Sequence, residues 1–195
     1  TSSSLCVYIS QTADPTAGTW YLYEFVSDSG GLPDYPKYGV WPDAYYVGAN
    51  EDGDSVGGVG RMVYALDRES MIQGVPTRPT QVFEAPLIDG FAFQLLHPVD
   101  WDGDRPPPDG APGLFVRHRD DEVHDAGSND PTRDFLELWR FSVAWDDPSD
   151  STLTGPELIE VAEFESEMCG LTSFACVPQP GTATLLDPLR EPMMW

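Results

Sequence analysis

Between Val116 and Asp125 the chain reads VRHRDDEVHD, with two histidines and four acids in ten positions. Residues of these types ligate metals. A hard cation such as calcium takes carboxylate oxygens, and zinc takes two or three converging imidazole or carboxylate ligands. His118 and His124 are six apart, which is not a zinc spacing, and no H-E-x-x-H occurs. Asp120, Asp121, Glu122 and Asp125 are candidate metal ligands. Arg117, Arg119 and Arg133 offer a competing use for the same acids, because bidentate arginine–carboxylate pairs stiffen a long loop. The residues themselves leave both readings open.

A second acidic pattern lies in VDWDGDRPPPDG, where Asp100, Asp102 and Asp104 alternate. This spacing gathers oxygens on one side of a loop, as calcium requires, but the later glutamate of an EF-hand is missing. Glu51, Asp52 and Asp54 in ANEDGDSVGGVG form a similar turn. A third set is Asp34, Asp89 and Asp187, each placed where an apolar strand begins. Acids converging from several strand starts suit glycoside hydrolysis, which needs carboxyl groups with separated roles. Asp-Gly and Asp-Pro are equally ordinary turn formers. Nucleophilic catalysis finds no motif: G-x-S-x-G, a phosphate loop and a dinucleotide fingerprint are all absent. His97 precedes Pro98 and reads as a turn residue.

The elements that must position these residues are strands. The 195-residue chain contains 19 prolines and 18 glycines, which disfavour long helices. Its apolar runs are short and rich in aromatic and β-branched residues. They fall at 5–10, 21–27, 37–41, 44–49, 61–67, 81–85, 91–96, 113–118, 135–144 and 157–164, with a further one at 193–195. A short helix fits Arg68–Gln73. Three segments, WYLYEFVSD, MVYALDRES and LELWRFSVAWDD, carry alternating aromatic cores and end in acid-rich turns. Strand sets of this kind, recurring at about 40–50 residues, mark a β-propeller. The expected fold is all-β: residues 1–195 form part of one propeller of four-stranded antiparallel blades. Residues 1–28 supply the outer strands of a first blade, 35–85 a second and 91–164 a third, and 165–195 hold a disulfide loop and the start of a fourth. A β-sandwich is the alternative, since it too uses many short strands.

Charge narrows the partners. Against 33 acids stand 10 basic residues, for a net charge of −23, and Lys37 is the only lysine. Nucleic acids and anionic membranes need a basic surface. No 18-residue apolar run is present to insert into a bilayer. The acidity suits solubility, cation binding or a salty medium. Cys169 and Cys176 frame CGLTSFAC, short enough to staple, and leave Cys6 over; the alternative is three buried thiols. A disulfide would imply an oxidising compartment. The chain opens directly on a strand-like run and stops at PMMW, the pattern expected of a fragment.

The segments CVYISQTADPTAGTWYLYEF, LPDYPKYGVWPDAYYV, VRHRDDEVHDAGSNDPTRDFLELWRFSV and CGLTSFACVPQPGTATLLDPLRE resemble a family of large secreted bacterial proteins of unknown function. The resemblance spans nearly the whole chain. It implies a β-propeller-like domain longer than this chain, and a partner for Cys6 upstream of Thr1. It implies no activity. The expected function is a secreted, non-catalytic binding or structural module, with carbohydrate or protein ligands and calcium. The alternatives are a glycosidase-like propeller enzyme and a subunit of an extracellular assembly whose neighbours cover exposed blade edges.

Overall fold

The computed structural model describes residues 3–27, 30–52, 59–88, 94–124, 130–166 and 175–186. Its strands form antiparallel sheets of two, four and four strands. The first sheet pairs β1 (Ser4–Ser10) with β2 (Trp20–Val26). The second runs in sequence order through β3 (Asp34–Val40), β4 (Tyr45–Asp52), β5 (Val59–Leu66) and β6 (Gln81–Ala85). The third follows the same order: β7 (His97–Pro98), β8 (Gly113–Arg119), β9 (Arg133–Ser142) and β10 (Thr152–Ala162).

Strand alternation sends successive side chains to opposite faces, and the second sheet uses both. Tyr46, Val63 and Ala65 face the third sheet and pack with Leu96, Phe115, Trp139 and Phe141. Val47, Met62, Tyr64 and Leu66 face the first sheet and pack with Leu5 and Phe25. The result is three stacked layers with the second sheet in the middle. Close approach of β4 to the third sheet depends on Gly48, since a Cβ there would collide with the carbonyl oxygen of Leu96.

Helix α1 (Arg68–Gln73) leaves β5 where the sequence predicts it. Asp67 caps it, accepting from the Ser70 amide at 3.3 Å. Gly74 closes it in the left-handed conformation, φ 70°.

Three elements differ from expectation. The run at 91–96 was expected as a strand, but strand pairing begins at His97, which lies opposite Val116. Residues 91–93 lie outside the described residues. Pro98 is tolerated because β7 is an edge strand, where a missing N–H costs no ladder bond. Strand β10 starts at Thr152, within a stretch that reads as a turn, and absorbs Gly155-Pro156 at a register shift between Thr154 and Glu157. A four-residue helix α2 (Asp121–His124) sits inside the opening acidic stretch. The expected strand at 193–195 lies outside the described residues.

Candidate functional site

The acidic stretch leaves β8 at one end of the stack. Asp120 is buried and gives both carboxylate oxygens to neighbours. Oδ2 accepts from the Ser166 amide at 2.7 Å and the Ser166 hydroxyl at 2.6 Å, and Oδ1 from the Val123 amide at 3.2 Å. Asp134, the second residue of β9, accepts from the amides of Asp121 and Phe164, each at 2.7 Å. Asp121 in turn accepts from the Asp130 amide at 2.8 Å. These carboxylates sew the 120–134 loop to the segment after β10 through main-chain amides. Hydrogen bonds with an ionised acceptor are the strong kind.

Ligand atoms of Asp120, Glu122 and Asp134 lie within 4.8 Å of one another, the one such group of three among the described residues. Asp120 and Glu122 were expected ligands. Asp134 was not, because at the head of RDFLELW it reads as a polar strand residue. Glu163 stands beside them. Loss of solvent raises its carboxyl first, and the negative field of Asp134, Glu122, Asp120 and Glu165 adds to the rise. Asp125 lies outside the described residues.

The expected arginine network takes a different form. Arg117 and Glu137 face each other across β8 and β9, each 1% exposed. Arg117 Nη2 and Nε donate to Glu137 Oε2 at 2.6 and 3.0 Å, and Trp139 Nε1 donates to the same oxygen at 3.0 Å. Arg117 Nη1 reaches the carbonyls of Pro86 and Gln94 at 3.1 and 3.2 Å. It thereby pins the ends of the connection into the third sheet. Arg119 also joins Glu137, at 3.4 Å, and Arg133 pairs with Asp130 and Glu160. Thus Asp120 and Asp121 are answered by amides, Glu122 is exposed, and the arginines pair elsewhere. The reason is strand geometry: Arg117 points into the sheet interface beside Phe115, away from the loop that follows.

His124 is buried, and its Nδ1 accepts from the Asp120 amide at 3.1 Å. Burial lowers its pKa to about 4, and the nearby His118 adds to the effect. The His118 ring lies 5.2 Å from that of His124 and 5.9 Å from that of Phe164, and burial lowers its pKa too. Both imidazoles are neutral packing groups at neutral pH.

The remaining expected sites are scattered. Asp100 Oδ1 accepts from the Val40 amide at 2.6 Å and so ties the β7–β8 connection to the end of β3. Asp102 and Asp104 are exposed on the bend that follows. Glu51 is buried and binds the hydroxyls of Ser27 and Tyr64. Asp34 is the exposed first residue of β3. Asp54, Asp89, Asp187 and Cys169 lie outside the described residues, so neither the carboxylate ring nor the Cys169–Cys176 staple is described. Cys6 is an exposed free thiol.

The opposite end of the stack holds a feature that sequence reading missed. Loops from two sheets converge there on a groove of about 340 Å³, whose lining includes Pro42, Asp43, Arg68, Ile72, Arg78 and Trp145. Arg78 grips the buried Asp67 through Nε at 2.8 Å and Nη2 at 2.7 Å, and its guanidinium lies 4.7 Å from the Trp145 ring centre. Burial pushes the Asp67 carboxyl up, but the Arg78 side chain and the amides of Arg78 and Ser70 outweigh it and hold it well below the usual range. Trp145 Nε1 donates to the Asp43 carbonyl at 3.1 Å. Residues 42, 68, 78 and 145 meet only in the fold, and no local motif joins them.

In comparisons with known proteins, no family model, curated protein or solved structure matches the chain. No helix among the described residues is long and apolar enough to cross a membrane.

Proposed function

We propose that the chain is a secreted, non-catalytic module of a larger β-propeller-like assembly, serving structure and binding. The observation that carries this reading is the outer face of the first sheet. Tyr8 and Leu22 are each 59% exposed, Val26 58% and Trp20 46%, and they line one face with Cys6. Glu24 is the only charged side chain among the outward residues of β1 and β2, on a chain of net charge −23. Contiguous apolar surface of this kind marks an interaction site.

The same sheet has two strands where its neighbours have four, as an incomplete blade would. Successive four-stranded meanders stacked face to face support the propeller over a two-layer sandwich. The resemblance supports the extracellular setting, and a Cys169–Cys176 staple belongs to the same reading. The amide-held acids at 120–134 support a structural use for these carboxylates over acid–base work.

Cys6 is a native reporter of this face. In the isolated chain a second copy is the available cover. Alkylation of Cys6 is expected to slow as protein concentration rises from micromolar to millimolar. A rate independent of concentration would sink the proposal.

A further inference from the structure

We infer that the groove between Asp43, Arg68 and Trp145 is a binding site for a neutral saccharide. This rests on the reading of the chain as a binding module and names the site and ligand class. The volume of about 340 Å³ lies within the range of small-molecule sites, about 300–1,000 Å³. A second hollow of about 160 Å³, reaching Trp41 and Pro107, shares Pro42 and Asp43 with it. The two together form a cleft suited to an extended ligand rather than a single small group.

Local charge selects against ions. Arg68 and Arg78 are balanced by Asp43 and Glu69, so the groove has no net charge, and the acidic chain around it repels anions. What the groove offers is paired donors and acceptors. Arg68 Nε is buried and has no partner among the described residues. Among the described residues the guanidinium donates only through Nη1, to the Pro42 carbonyl at 3.4 Å, so donor capacity is left for a sugar oxygen to accept. The Asp43 carboxylate meets the Tyr46 hydroxyl, at 3.3 Å from each oxygen, and its own main-chain amide. Acceptor capacity is left there for hydroxyl donors. Pro42, Trp145 and Ile72, the last 45% exposed, give an apolar wall for the C–H face of a pyranose.

The side chains are also fixed in advance. Arg78 is locked on Asp67, Trp145 is tied to the Asp43 carbonyl, and the Arg68 guanidinium lies 5.7 Å from the Tyr45 ring centre. Little rotamer freedom is lost on binding, which favours affinity.

The test is calorimetric titration of the intact chain with maltohexaose, cellohexaose, mannohexaose and chitohexaose. At least one is expected to bind, and Arg68→Gln and Trp145→Ala are expected to weaken it at least about tenfold. Ile72→Arg alters an exposed side chain and blocks the groove without touching the core, so its loss of binding cannot be ascribed to misfolding. Leu22→Glu, on the far sheet face, leaves sugar binding unchanged. The inference is overturned if no hexaose binds at about 10 mM, if binding survives Ile72→Arg, or if polygalacturonate binds in preference. Those outcomes leave the covered outer face of the first sheet standing, since its readout is Cys6 alkylation.

Discussion

At the Trp145 end of the stack the buried carboxylate of Asp67 is answered by an arginine that reaches the groove. At the Asp120 end the buried carboxylates of Asp120, Asp121 and Asp134 are answered by main-chain amides. An arginine partner leaves a rigid guanidinium plane with further donors for a ligand. An amide partner spends the carboxylate on holding the loop. Acid-rich sequence thus serves two ends: a groove with fixed charges of both signs, and a loop stitched to its neighbour. The first is equipped for recognition and the second for shape.

Removing partners tests the contrast. The largest effect is expected from Glu137→Ala, which leaves Arg117 charged, buried and unpaired. Breaking a buried pair from one side costs about 3–5 kcal/mol, read as a lower urea midpoint at unchanged slope. A loss below about 1 kcal/mol would mean that water reaches Arg117. Asp134→Asn keeps one acceptor but turns an amide donor toward a main-chain N–H. The expected cost is about 1–3 kcal/mol, with faster hydrogen exchange confined to the amides of Asp121 and Phe164. Faster exchange across the whole third sheet would contradict the local role.

A pH titration sharpens the comparison further. The folded pKa of His124 is lowered to about 4, against about 6.5 for the unfolded chain. The unfolded state therefore binds the proton first. The contribution is fully present above about pH 6.5 and is lost as pH falls toward 4, by up to about 3 kcal/mol. His118 acts in the same direction, whereas Glu163, raised in the fold, opposes it. His124→Gln is expected to flatten stability across that window; an unchanged profile would remove His124 as the cause.

Calcium is expected to have the smallest effect. Both oxygens of Asp120 and of Asp134 already accept hydrogen bonds, so 10 mM calcium is expected to raise the unfolding midpoint by less than about 3 °C. A larger rise, abolished by Glu122→Gln, would restore calcium as the organiser of this loop.

The strands that carry alternating aromatic residues, and the short helix α1, are legible in the sequence because each is a local pattern. Strand β10 is half hidden because Gly155-Pro156 has the composition of a turn, and a bulge on an edge strand accepts it. His97 is misjudged for a similar reason, with Pro98 facing away from the ladder. Asp120 and Glu122 stand out as a cluster, but Asp134 joins them only through the return of β9. The groove is the least legible feature. Pro42, Arg68, Arg78 and Trp145 come from separate connections in two sheets, and tertiary packing alone brings them together.

The central claim is that the outer face of the first sheet is a covered surface in the native assembly. Sedimentation velocity of the wild-type chain and of Leu22→Glu, over a hundredfold concentration range, tests it most directly. The account predicts concentration-dependent association of the wild type and a monomeric Leu22→Glu with the same far-ultraviolet spectrum. A wild-type chain that stays monomeric and soluble throughout would contradict it.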